Sequence, residues 1–216
     1  MNSSPSNRAR LSAACFTVLC VPAASLAANL EAPGVPNFHQ VSQQVYRGAQ
    51  PTDEGFASLS KLGIKTVIDL RELGEHSQAD EKRIVEASGM RYLSIPMKGM
   101  STPTNDQVSR IIALFEDSAA GPVFVHCKRG ADRTGGVIAV YRIEHDHWES
   151  GRALDEARSL GMSWFQKPIQ HYVRNFQSSQ LAIAAPSAPR VVVVKDAAPP
   201  VVTEAAVEPV AVPTAQ

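Results

Sequence analysis

Two spacings of apolar residues alternate along the middle of this chain. Short unbroken runs, such as Val123-Phe124-Val125, give way to stretches in which apolar residues return every three or four positions, such as Val137, Ile138, Val140, Tyr141 and Ile143. The first kind predicts buried strands, the second helices with an apolar face. Strands are expected near Gln44–Arg47, Ile64–Leu70, Arg91–Pro96 and Val123–His126. Helices are expected at Asp53–Leu62, Ser77–Ser88, Asn105–Ser118, Thr134–Asp146, Ser150–Ser159 and Lys167–Phe176. Thr52 and Thr104 stand where a side chain would cap a helix start, and Gly63 and Gly89 where helices stop. Such alternation predicts an α/β fold: a single three-layer domain with a mainly parallel central sheet flanked by helices. Ligands of such sheets sit beyond the carboxyl ends of the strands.

One strand end carries a candidate site. His126-Cys127-Lys128-Arg129-Gly130-Ala131-Asp132-Arg133-Thr134-Gly135 follows the apolar run Val123-Phe124-Val125 and leads into the helical stretch. The loop therefore lies at a helix N-terminus, where unpaired N–H groups and the positive end of the dipole favour an anion. Gly130 and Gly135 let the backbone curl closely around a phosphoryl group, and Arg133 supplies a two-pronged charged contact. A free thiol titrates near ~8.5, and a helix N-terminus with an adjacent guanidinium brings it to ~3.5–7.5. Cys127 is then expected as a thiolate nucleophile beneath an anchored phosphate. Lys128, Arg129, Gly130, Ala131, Asp132 and Arg133 are the expected substrate-binding residues.

The run HCKRGADRTG resembles the H-C-x5-R-[ST] signature loop of the cysteine-based protein tyrosine and dual-specificity phosphatases. Val45-Tyr46-Arg47-Gly48-Ala49-Gln50-Pro51 and Leu62 to Arg71 extend the resemblance to the opening strands of small exported bacterial dual-specificity-like phosphatases, and the whole runs from about Val45 to Phe176. It implies a tyrosine phosphatase-like fold with Cys127 as nucleophile and Arg133 binding phosphate and stabilising the transition state. It further implies that Thr134 assists departure of the thiolate during phosphoenzyme hydrolysis, and that His126 holds the loop and favours the thiolate.

The general acid departs from that pattern. The loop where the family normally carries an aspartate runs Met97-Lys98-Gly99-Met100-Ser101-Thr102-Pro103 and holds no carboxylate. Two residues compete for the role. Asp132 lies in the cradle, as in the loops of myotubularin-type and bacterial lipid phosphatases, or else points outward and braces the loop through backbone N–H groups. Asp106, on the opening turn of the next helix, is the reserve.

The termini add a compartment. Arg8 and Arg10 precede an uncharged stretch from Leu11 to Leu26 that ends in the small residues Ser25 and Ala27, a secretory signal peptide over 1–27 cut before Ala28. A periplasmic or secreted product is expected, without stable membrane insertion and monomeric. Cleavage removes Cys15 and Cys20 and leaves Cys127 as the single thiol. It also leaves 19 basic against 21 acidic residues, a balance that implies no nucleic-acid partner. The folded unit is expected over 35–183, and the Ala/Pro/Val-rich stretch 184–216 as a disordered tail.

Other candidates carry less. Asp69 and Glu72 end the second strand at the same sheet edge, where they would face substrate or form a salt-bridged strand terminus. His145 and His147 flank Asp146 near a helix end and are expected to be solvated. Met162-Ser163-Trp164-Phe165 is expected to be core packing between the last two helices. No metal and no cofactor is expected. The substrate expected first is a phosphorylated protein carrying phosphotyrosine or phosphothreonine; a phosphoinositide or inositol polyphosphate is the alternative, suited to the charge of Lys128 and Arg129. A rhodanese- or arsenate-reductase-like enzyme and a non-catalytic phosphate-binding module are remoter readings.

Overall fold

Residues 30–183 are described by the computed structural model. The expected signal peptide over 1–27 and tail over 184–216 lie outside the described residues. In chain order the elements are β1 (His39–Gln40), β2 (Val45–Ala49), α1 (Asp53–Lys61), β3 (Thr66–Asp69), α2 (Gln78–Ala87), β4 (Arg91–Ser94) and α3 (Asn105–Glu116). A 3-10 turn at Ser118–Ala120 precedes β5 (Val123–Cys127), α4 (Asp132–Glu144), α5 (Ser150–Ser159), α6 (Lys167–Arg174) and α7 (Ser179–Ile183).

The five strands lie in the order β1-β2-β5-β3-β4. Only the β1–β2 pairing is antiparallel. Alternation along the strands splits the core in two. Val45, Ile68, Val123, Val125 and Cys127 point to one face and pack with α3, α4, α5 and α6. Tyr46, Val67 and Phe124 point to the other, under α1 and α2. This is the expected three-layer α/β arrangement with a mainly parallel sheet.

Capping chemistry sets several boundaries. The Thr52 hydroxyl accepts from Gly55 N–H at the start of α1. Thr104 and Gln107 form a reciprocal capping box at the start of α3. Gly63 and Gly89 carry positive φ just past α1 and α2, as expected. Several boundaries differ from expectation by a residue or two, among them the following three. α3 stops at Glu116 and not Ser118, because Asp117 is extended and its carboxylate caps the 3-10 turn through Ala119 N–H. β4 stops at Ser94 and not Pro96. α4 begins at Asp132 and not Thr134: Gly135 N–H already closes onto Ala131 O at 2.9 Å, which brings Asp132 and Arg133 into the first helical turn. Among the described residues no helix is long and apolar enough to cross a membrane.

Candidate active site

β5 is the middle strand of the sheet and ends at Cys127, which lies opposite Ala49 of β2 and is 2% exposed. The chain then turns through Lys128-Arg129-Gly130-Ala131 into α4. Ala131 precedes that helix without any side-chain cap. None of the backbone N–H groups from Arg129 to Thr134 donates to a protein acceptor among the described residues. Helix starts normally satisfy such donors with a side chain, water or a ligand. A run of unpaired donors above a cysteine is an anion cradle.

Gly130 is the bend of the cradle, with φ of 65°. A Cβ at this position would collide with the backbone of Gly48 and Ala49, so the cradle rests directly on β2 and the position requires glycine.

Arg133, on the first turn of α4, is buried, and both ends of its guanidinium are held. Nη1 lies 2.6 Å from Glu75 Oε1 and Nη2 lies 3.1 Å from Glu75 Oε2, while Nη1 also donates to Met97 O at 3.2 Å. Nε makes no protein hydrogen bond among the described residues. The hydrogen bonds from Arg133 hold the Glu75 carboxyl below the usual carboxylate range. Burial opposes the Arg133 charge, but Glu75 and then Cys127 outweigh it and push the guanidinium upward. Thr134 is fully buried and its hydroxyl has no hydrogen-bond partner among the described residues.

His126 is fully buried and stacked on Phe124. Its Nε2 is 3.0 Å from Glu81 Oε1, close enough for an ion pair but out of line for a hydrogen bond, and Nδ1 has no partner among the described residues, so the expected hydrogen bonds from His126 to the loop are not formed there. Beneath it lies a buried polar network. Arg71 donates to both oxygens of Asp69 and to Glu81. His76 Nε2 is 2.8 Å from Asp69 Oδ2, and Tyr92 donates to the same oxygen at 3.0 Å. Burial alone would raise the Asp69 carboxyl, yet His126 and Arg71 hold it below the usual range. The same burial, with Asp69 and Glu81 nearby, raises the Tyr92 hydroxyl. Asp69, Glu81 and His126 stand close enough together to ligate a metal ion. The Arg71 guanidinium already lies on both carboxylates and supplies the positive charge that an ion would bring.

Several sequence expectations are reassigned by these positions. Asp69 is a fully buried, salt-bridged strand terminus and does not face substrate. Glu72 is half-buried, and its N–H donates to the Glu75 carboxylate at 3.0 Å. Asp132 has one carboxylate oxygen on Ser163 N–H at 2.8 Å and the other on the Arg129 guanidinium. That is the bracing arrangement, with the loop before α6 as its partner. Arg129 also donates to the Ser163 hydroxyl at 2.6 Å, while Lys128 is exposed and unpaired. Asp106 is exposed on the first turn of α3. The expectation that Met162 to Phe165 are core holds only for Met162. Trp164 is 77% exposed and Phe165 47%, because Ser163 is tied to Asp132 and the two rings are left beside the cradle. His145 is stacked on Tyr141 with Nδ1 2.8 Å from Asp146.

Three participants escaped the sequence reading. Glu75 clamps Arg133 from a loop 58 positions away. Arg47 and Asn37 donate into the outer side of the cradle. A buried arginine in a strand was the one signal available, because a charged side chain at an apolar-run position needs a partner.

Comparison with known proteins agrees with this geometry. The dual-specificity protein phosphatase TpbA of Pseudomonas aeruginosa is 30% identical over 125 residues, which are 58% of this chain and 55% of TpbA, so the match spans about half of that relative's length. The inositol diphosphatase DSP5 of Arabidopsis thaliana is 26% identical over 151 residues, 68% of this chain and 72% of that protein. The crystal structure of TpbA superposes with a TM-score of 0.59 at 28% identity, covering 72% of this chain and 94% of that one. The catalytic core of Siw14 from Saccharomyces cerevisiae, at 23% identity and a TM-score of 0.60, shares the fold over 70% of this chain and 93% of that one. A family model described as "DSP-PTPase phosphatase fused to NAD+ Kinase" matches residues 31–175. By that match the chain belongs to the DSP-PTPase phosphatase family.

Proposed function

We propose that the protein is an exported phosphatase that hydrolyses phosphomonoesters of proteins, phosphotyrosine foremost, through a phosphocysteine on Cys127. The observation that carries this reading is the unbroken run of unpaired N–H groups from Arg129 to Thr134 above a buried cysteine. They bind three phosphoryl oxygens as Arg133 adds charge through Nε. The Cys127 thiolate attacks phosphorus, the phosphorus–oxygen ester bond breaks, and the leaving oxygen takes a proton from solvent water. Water then attacks the phosphocysteine, phosphorus–sulfur cleavage releases inorganic phosphate, and the Thr134 hydroxyl donates to the departing sulfur.

The leaving group decides between substrates. No carboxylate lies in the loop between β4 and α3, and Asp132 is engaged at both oxygens. A tyrosine phenolate, with a pKa near ~10, needs less help from an acid than an alkoxide does, and exposed Trp164 and Phe165 offer rings to a tyrosine side chain beside the cradle. The second reading is an inositol phosphate bearing a diphosphate, whose leaving phosphate also needs no acid. Exposed Lys98 and Lys128 favour it, as do relatives named inositol diphosphatases.

Turnover of a nitrophenyl phosphate in the presence of a chelator is expected, and loss of it in Cys127→Ser with an unchanged melting temperature. Full activity in that variant would contradict the mechanism and point to a phosphate-binding module or another chemistry. Phosphotyrosine peptides and a panel of inositol phosphates, compared by kcat/KM, then separate the two substrate readings. Export rests on Arg8, Arg10 and the small residues before Ala28. Mass spectrometry of the native protein should find its N-terminus at Ala28, and an intact Met1 would remove this part of the proposal.

A further inference from the structure

We propose that Asn37 and Arg47 are positioning residues that grip the cradle from outside and hold its carbonyl groups outward, so that its N–H groups face the phosphate. This rests on the phosphatase reading above and adds to it a part of the machinery outside the signature loop.

Three successive carbonyls of the cradle are claimed from behind. Lys128 O accepts from Gln50 N–H at 3.3 Å. Arg129 O accepts from Asn37 Nδ2 at 3.3 Å. Gly130 O accepts from Asn37 Nδ2 at 3.3 Å and from Arg47 Nη2 at 2.6 Å. In a trans peptide the C=O and the following N–H point in opposite directions. Carbonyls drawn outward at Lys128, Arg129 and Gly130 therefore turn the N–H groups of Arg129, Gly130 and Ala131 inward, and these are among the donors that lack a protein partner.

Both residues are built for this at a cost. Asn37 holds φ of 52°, a left-handed backbone that non-glycine residues seldom adopt, and its Nδ2 also reaches Leu160 O at 3.1 Å. Three carbonyls around one atom fix that atom as the amide nitrogen, and His39 Nε2, 3.1 Å from Oδ1, holds the other end. The turn itself is tied to β2, where Ala49 N–H donates to Pro36 O at 2.8 Å. Arg47 is 1% exposed, and its Nε and Nη1 have no partner among the described residues. Burying a guanidinium in that state is costly, and desolvation lowers its pKa to about 10. A strand interior needs no such residue for packing. The cradle uses its one strong hydrogen bond.

Inorganic phosphate, used as a competitive inhibitor of aryl phosphate hydrolysis, tests the assignment. Asn37→Asp keeps the shape and the left-handed backbone but sets an acceptor against carbonyl oxygens. Asn37→Gly keeps the backbone conformation and removes the amide altogether, which guards against misfolding in the first variant. Both should raise the inhibition constant for phosphate and the KM together by about tenfold, the equivalent of one lost hydrogen bond. Arg47→Lys, with one donor still able to reach Gly130, should lose less. Unchanged phosphate inhibition in both Asn37 variants, with only a lower melting temperature, would reduce Asn37 to a fold-holding residue and overturn the proposal. A native protein that neither turns over aryl phosphate nor binds inorganic phosphate would instead overturn the phosphatase reading, and the clamp with it.

Discussion

The inner and outer faces of the cradle are built from different stretches of chain. The inner face, with Cys127, the free N–H groups and Arg133, comes from one continuous stretch that runs from the end of β5 into the first turn of α4. The outer face comes from far away: Asn37 is 93 positions from Gly130, Arg47 is 83 from it, and Glu75 is 58 from Arg133. Chemistry is local in the sequence because a strand-to-helix turn suffices to assemble donors around an anion. Its orientation is not local, because the cradle carbonyls and the Nη groups of Arg133 are met by whatever the fold brings alongside.

Substitutions on the two faces should therefore fail differently. Short of replacing Cys127 itself, the largest loss is expected at Arg133→Lys, where a point charge replaces a planar fork that is held by Glu75 and must also serve phosphate. kcat/KM for an aryl phosphate should fall by about 10²-fold or more, in line with removal of a preorganised transition-state donor. Glu75→Gln, which keeps Arg133 but loosens its grip, should cost far less at neutral pH. Its signature lies in acid. The Glu75 carboxyl sits below its ordinary value in the folded protein, so its stabilisation is present above the unfolded-state value near ~4.3 and is lost as pH falls through the depressed one. Melting temperatures followed from neutral to acidic pH should show an acid-sensitive component in the native protein that Glu75→Gln lacks. An Arg133→Lys variant with near-native kcat/KM would remove the distinction between the faces.

A smaller and more selective effect is expected at Asp132. Both of its oxygens brace the loop, so Asp132→Asn should slow a nitrophenyl phosphate and an alkyl phosphate by similar modest factors. A general acid would instead cost ~10²–10⁴-fold on the alkyl substrate alone. Selective loss on the alkyl phosphate would return Asp132 to the acid role, and the same comparison at Asp106→Asn then tests the reserve.

The sequence was readable where one residue's pattern determined its environment. The parallel sheet, the helix order and the caps at Thr52 and Thr104 follow from periodicity and capping chemistry within a few residues. Cys127, Arg133 and the glycine bend at Gly130 follow from one strand-loop-helix segment. The two-residue strand β1 and the short helix α7 escaped because neither is long enough to show a period. Asp132 was ambiguous because the direction of its side chain depends on Ser163, 31 positions away. Trp164 and Phe165 were misread as core because apolar spacing carries no information about a loop held off the core by such a contact. Glu75 sits in a turn rich in polar residues and Asn37 in a Pro/Gly turn, and nothing in either local pattern points to the cradle.

The central claim is that Cys127 carries the phosphoryl group. Mixing the protein with an aryl phosphate, quenching in acid during turnover and locating the phosphoryl adduct by peptide mass spectrometry tests it directly. The account predicts the adduct on Cys127, at higher occupancy in Thr134→Ala, where departure of the sulfur is slowed, and absent in Cys127→Ser. Turnover with no adduct in either the native protein or Thr134→Ala, or an adduct on a residue other than Cys127, would contradict it.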